Sequence, residues 1–252
     1  MNRSLLTLVA VALLSTAARA QEHHWGYEAK NGPEHWGAEA PACKTGTHQS
    51  PIDLKTAGKE AAKVSKALPA LQLKGWGKTS GKLVNNGHTF QVNFGENSTA
   101  TAEFGQGVFK LAQFHFHALS EHKLNGKHSP MEVHFVHKQG DKLAVVGILL
   151  DDGGAANAAF KPVFDGFGKA TKEKDGVEIP VDLSKLAPRK LRYFTYPGSL
   201  TTPPCSEGVH WMVLGEKEHL SKAQVAAFNK AFPHGNSRPV QGLHGRSVEV
   251  TQ

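Results

Sequence analysis

From Lys82 onward, apolar positions recur in short runs that alternate with polar ones, and clusters of Gly, Asn, Asp and Pro separate the runs. Period-two alternation buries one face of a strand, so Leu83–Phe94, Val108–His117, Glu132–His137, Leu143–Leu150, Leu191–Thr195 and Val209–Leu214 are predicted as strands. Asn85-Asn86-Gly87 reads as a turn within the first run. Helical spacing is rarer. It predicts one helix over Ala155–Phe167 and a second that begins at Ser221, where Ser-Lys-Ala-Gln forms a capping box, and stops at Pro233. No internal repeat or low-complexity linker divides the chain. The pattern predicts a mixed α+β, mainly β, single domain: a central twisted, mostly antiparallel sheet with short peripheral helices.

The first twenty residues read differently. Met1-Asn2-Arg3 is a short positive start, Ser4–Ala17 is mostly apolar, and Ala18-Arg19-Ala20 offers small residues to a signal peptidase. Residues 1–20 are therefore expected to be a signal peptide, and 21–252 the mature domain. The apolar run is too short to span a bilayer, so no membrane anchor is expected after cleavage. Export makes the only two cysteines, Cys43 and Cys205, an expected disulfide.

The formal charge of +7 includes Arg3 and Arg19, so cleavage leaves +5. Lysines are scattered along the chain, which is the habit of a solvated surface and argues against nucleic-acid binding. The 15 histidines are the unusual count.

Three of them fall in a chemical pattern. In Gln113-Phe114-His115-Phe116-His117 the two phenylalanines share one face and the two imidazoles the other. Glu132-Val133-His134-Phe135-Val136 alternates in the same way. Asn125-Gly126 between them is the preferred pair for a two-residue hairpin turn. A hairpin centred there sets His117 opposite His134 and His115 opposite Val136. Gln113, His115, His117, Glu121, Glu132 and His134 then share one face. Three imidazoles describe a catalytic zinc site with an open fourth position, and Gln113 and Glu132 are placed to accept from ligand rings and fix their tautomers.

The same residues resemble the alpha-class carbonic anhydrases, of the bacterial, secreted type. The likeness runs through His23-His24-Trp25-Gly26-Tyr27, Gln49-Ser50-Pro51-Ile52-Asp53, Asn85-Asn86-Gly87-His88, Gln113 to His117, Ser120-Glu121-His122, Ser199-Leu200-Thr201-Thr202-Pro203-Pro204 and Arg238-Pro239-Val240-Gln241, in that order. The resemblance implies one zinc per chain on His115, His117 and His134, and hydration of carbon dioxide to bicarbonate and a proton by zinc-bound hydroxide. It implies that Thr201 donates to Glu121 and orients the nucleophile, and that His88 shuttles protons through water ordered by Tyr27 and Asn86. Val136, Val145, Leu200, Val209 and Trp211, with Thr201 and Thr202, would form the substrate pocket. Cis peptide bonds are implied at Ser50–Pro51 and Pro203–Pro204, and the Cys43–Cys205 bridge would brace the Thr201 loop.

The connection from His117 to His134 is short, as in bacterial members, and Lys55 to Ala70 diverges. The expected location is the bacterial periplasm, as a monomer or homodimer acting on a small molecule. A zinc peptidase would need His-Glu-x-x-His, which the chain lacks. A binding module that has lost a ligand, or a zinc scavenger that also uses His23 and His24, are the non-enzymatic readings. The intact set of three histidines, Thr201 and Glu121 favours the enzyme.

Overall fold

The computed structural model describes residues 25–96, 98–170 and 176–252. The expected signal peptide, with His23 and His24, lies outside the described residues. Among the described residues, thirteen strands form one sheet, ten of them on a continuous path. In chain order these ten are β1 (Lys63–Val64), β2 (Lys78–Asn85), β3 (Phe90–Asn93), β4 (Val108–His117), β5 (Met131–Gln139), β6 (Lys142–Asp151), β7 (Val177–Asp182), β8 (Tyr193–Ser199), β9 (Glu207–Leu214) and β10 (Glu249–Val250). Across the sheet they run β7-β2-β3-β4-β5-β6-β9-β8-β10-β1. Only the β6–β9 and β10–β1 pairs on this path are parallel. The sheet is mainly antiparallel, as the alternation predicts.

Alternation decides what each face becomes. Met131, Val133 and Phe135 of β5, Ala144, Val146, Ile148 and Leu150 of β6, and Met212 and Leu214 of β9 enter the larger core with Phe114 and Phe116. Phe160, Phe164 and Phe228 pack against Phe116, so the short helices cover this face. Removing one such fully buried ring would cost about 3–5 kcal/mol. The opposite positions, Val136, Val145, Val209, Trp211 and Val213, join a smaller cluster with Ile52, Phe194 and Tyr196. The polar site occupies the rest of that second face.

The helix from Lys222–Ala231 has the predicted capping box: Ser221 Oγ accepts from the Gln224 backbone, and the Gln224 side chain accepts in return. The other predicted helix is shorter than expected, Lys161–Gly166. Asn157 diverts the preceding residues. Its side chain accepts from the Ala159 backbone at 3.0 Å and donates to His219 O at 3.0 Å, so the local backbone is recruited away from a helix. Leu83–Phe94 divides into β2 and β3 at the predicted Asn-Gly turn, and β8 begins at Tyr193 and runs past Pro197. The divergent Lys55 to Ala70 stretch supplies β1, the short outermost strand. No helix among the described residues is long and apolar enough to cross a membrane.

The Asn125-Gly126 turn forms, with both residues at positive φ, but it closes only a small hairpin of Lys123–Leu124 with Lys127–His128. Between β4 and that hairpin the chain leaves the ladder through Ala118–His122. The returning arm is two residues shorter. The β4–β5 register therefore moves by two: His134 faces His115, Glu132 faces His117 and Val136 faces Gln113. This corrects the predicted opposition of His117 with His134 and of His115 with Val136. A shift of two keeps the parity, so the shared face survives.

Candidate metal centre

Three histidines meet at the centre of the second face. His115 and His134 are cross-strand neighbours, and His117 lies two positions along β4. Ring centroids are 5.0 Å apart for His115–His117, 5.2 Å for His115–His134 and 4.5 Å for His117–His134. One nitrogen from each ring lies within 4.8 Å of the others.

The outer hydrogen bonds fix the tautomers. His115 Nδ1 donates to Gln113 Oε1 at 2.8 Å, His117 Nδ1 to the Asn236 carbonyl at 2.8 Å, and His134 Nε2 to Glu132 Oε1 at 2.9 Å. These oxygens only accept, so each proton sits on the outward nitrogen. Lone pairs are left on His115 Nε2, His117 Nε2 and His134 Nδ1. His117 Nε2 is buried and has no hydrogen-bond partner. An orphaned buried acceptor beside two others is costly unless a cation completes it, and an all-imidazole set suits zinc. Burial, aided by the other rings, holds His115 well below the usual imidazole range and takes His117 to about 4, so the rings are neutral and ready to ligate.

Two buried carboxyls beside the ligands have opposite electrostatics. Burial alone would raise Glu132, but His122 and His134 outweigh it and hold the carboxyl well below its ordinary range. Glu132 Oε1 accepts from both His134 and His122 Nδ1, and Oε2 accepts from the His122 backbone at 2.8 Å. Gly147, opposite His134, makes room for it: a Cβ there would lie 2.9 Å from Glu132 Oε1. Burial wins at Glu121 and raises it to about 7, against the opposing effects of His134, the Arg238 N–H and Thr201. Glu121 Oε1 accepts from the Arg238 backbone at 2.9 Å. Its Oε2 lacks a well-formed hydrogen bond, although the Thr201 hydroxyl is close enough to lower its pKa.

A cleft of about 180 Å³ opens above the histidines. Val136, Val145 and Trp211 are successive cross-strand neighbours on β5, β6 and β9, and with Leu200 they make its apolar wall. Val209 is the exception among the expected wall residues. It is buried in the adjoining cluster and is not among the cleft's lining residues, because its neighbour on β6 is Leu143, two positions from Val145. Thr201 and Thr202 close one side, and Tyr27, Asn86 and His88 the mouth. Asn86 Oδ1 is engaged in its own turn, accepting from the His88 and Thr89 backbones. The His88 ring stacks on Trp25 at 3.7 Å.

The Cys43–Cys205 disulfide is formed, with the sulfurs 2.05 Å apart, and joins the short Ala42–Thr45 helix to the loop that follows Thr201. Ser50–Pro51 and Pro203–Pro204 are cis, as the resemblance implies, and Ala118–Leu119 is a further cis bond. Arg238 clamps the same region, donating to Gln49 Oε1, Ser50 O and Cys43 O at 2.8 Å each.

The sequence reading did not assign Trp25, Thr89 and Gln91 to the cleft. It also gave no role to Asn236 as acceptor for His117, or to the buried chain from His122 Nε2 to Tyr196 OH (2.6 Å) and on to Ser50 Oγ (3.0 Å). Asn236 acts through its backbone carbonyl, which any residue carries, so no side-chain signal marks it.

Comparison with known proteins agrees with this geometry. The family model described as eukaryotic-type carbonic anhydrase matches residues 31–252. A carbonic anhydrase of Nostoc sp. is 41% identical across 98% of this chain and 96% of its own length. One from Neisseria gonorrhoeae is 38% identical across 98% and 97%. Among solved structures, the alpha-carbonic anhydrase from Thermovibrio ammonificans, in complex with the inhibitor sulfanilamide, superposes with a TM-score of 0.77 at 39% identity, covering 91% of this chain and 99% of that one. The chain belongs to the alpha, or eukaryotic-type, carbonic anhydrase family of enzymes.

Proposed function

We propose that the chain catalyses reversible hydration of carbon dioxide to bicarbonate and a proton, using one zinc ion on His115, His117 and His134. The carrying observation is the convergence of three neutral imidazole lone pairs, one of them an orphaned buried atom, at the floor of a cleft with one apolar wall. When bound, zinc supplies Lewis acidity that lets a water ionise near neutral pH.

The protein's own residues do the rest. Gln113, Glu132 and the Asn236 carbonyl hold the ligand rings in one tautomer and one orientation. Thr201 donates a hydrogen bond from its hydroxyl to Glu121, so its oxygen is left to accept from the reacting water and aim it. Glu121 is itself oriented by the Arg238 N–H. Val136, Val145, Leu200 and Trp211 hold the apolar substrate next to that oxygen and keep competing water away. Thr202 completes the substrate pocket on the polar side, and Val209 supports the wall from beside Trp211. His88, at the cleft mouth, takes the released proton through water ordered with the help of Tyr27 and Asn86.

The reading includes export to the bacterial periplasm. The Cys43–Cys205 bridge, the apolar start of the chain and the bacterial relatives support it. The test is a pair of variants. His115→Ala should abolish hydration and lower zinc content. His88→Ala should keep zinc and slow only the rate measured in weak buffer. Wild-type hydration in His115→Ala would overturn the ligand set, and wild-type kinetics of His88→Ala in weak buffer would overturn the shuttle.

A further inference from the structure

His88 lies on a wall between two cavities. On its inner side is the cleft above the three histidines, and on its outer side is a second, solvent-open pocket of about 290 Å³. Trp25 and Tyr27 share the dividing wall with it. The outer pocket also carries Glu28, Phe232 and His234. Its titratable groups are therefore Tyr27, Glu28, His88 and His234. His234 is exposed, whereas His88 is half-buried and stacked on Trp25.

The placement of His234 is held by the same residue that holds the inner site. Asn236 donates from Nδ2 to the His88 carbonyl at 3.0 Å and accepts from His117 Nδ1 at 2.8 Å. Gly235 has φ 72°, and a Cβ there would lie 2.7 Å from the Ala118 carbonyl, so the turn carrying His234 is fixed against the strand end. The Pro233–Asn236 turn is thus tied both to the ligand shell and to the His88 backbone.

We propose that His234 is the second station of the proton exit, receiving through outer-pocket water the proton that His88 brings out of the cleft. The inference rests on the proposed hydration reaction. One N–H bond of the His88 imidazolium breaks, a water passes the proton on, and an N–H bond forms on His234, which then gives the proton to solvent base. Glu28, paired with Lys30 at 3.4 Å, lines the same pocket. His234 acts through His88 and does not touch the substrate.

Stopped-flow hydration of zinc-loaded His234→Ala, His88→Ala and the double variant tests this. In about 1 mM buffer, kcat of His234→Ala should fall about threefold with kcat/KM unchanged, and tens of millimolar imidazole should restore it. The double variant should be no slower than His88→Ala. In zinc-loaded protein, the His88 ring titration followed by NMR should move when His234 is removed. Unchanged kcat in dilute buffer, an unmoved His88 titration, or a parallel loss in kcat/KM would overturn the relay. Inactive zinc-loaded wild type would instead overturn the hydration reading, and the NMR arm would still report on the His88–His234 coupling.

Discussion

His134 and His137 stand three positions apart on β5, and both are buried, yet they have opposite fates. His134 points to the face where two other imidazoles converge, and a carboxylate holds its outer nitrogen. His137 points into the apolar core, where Nδ1 donates to the Phe135 carbonyl at 2.9 Å and Nε2 has no well-formed hydrogen bond among the described residues. Its near neighbour Trp76, with ring centroids 6.1 Å apart, also leaves Nε1 unpaired. Burial lowers the pKa of both histidines. A buried, neutral histidine is therefore not enough to make a site. Convergence of lone pairs, with acceptors behind them that set the tautomer, makes the difference.

The comparison breaks first at the metal. His134→Ala should lose zinc and at least about a thousandfold in hydration rate, whereas His137→Phe should keep one zinc per chain and stay within about threefold of wild type. Elemental analysis of the purified variants, with stopped-flow rates, reads both. Zinc loss in His137→Phe would mean that the two faces are not independent.

Glu132→Gln keeps the shape but removes the charge behind His134. Zinc affinity should fall about 10- to 100-fold in a competition assay against a chromogenic chelator. An unchanged affinity would demote Glu132 to a purely structural partner of His122.

How much of this contrast was legible in the sequence follows from what each feature depends on. Parity along a strand is local, so Phe114 and Phe116 against His115 and His117 could be read directly, and a two-residue slip left that face intact. Register depends on the length of the irregular arm Ala118–His122, which no periodicity reports. Val209 has the parity of Trp211 and was expected beside it in the wall. Only the β6–β9 register shows that it stands two pairs further along. The Asn157 diversion that shortened the Lys161–Gly166 helix is a side-chain contact across 62 positions, invisible to local pattern.

The Cys43–Cys205 bridge ties the Ala42–Thr45 helix to the loop after Thr201, across a separation of 162 residues. Reduction should lower stability by about 2–4 kcal/mol and slow hydration, because the Thr201 loop loses its brace. Thermal melts in reductant, with reduction verified by mass, measure the first effect. An unchanged melting temperature would show that the bridge is dispensable.

A last effect concerns pH. Burial takes His137 to about 4, below the usual imidazole value of about 6.5, so the unfolded chain binds more protons between these limits. Stability should then rise with pH across that window and be lost as pH falls through it, by about 3 kcal/mol from this one group. His137→Phe in zinc-loaded protein should flatten that part of the curve, as read from urea midpoints between pH 4 and 7. A slope identical to wild type would show that His137 is not the group responsible.

Stopped-flow hydration of the purified protein, before and after a zinc chelator, tests most directly whether the three-histidine centre hydrates carbon dioxide. Fast hydration that disappears with the metal and returns with added zinc is the expected result. Absent hydration in protein carrying one zinc per chain would contradict it.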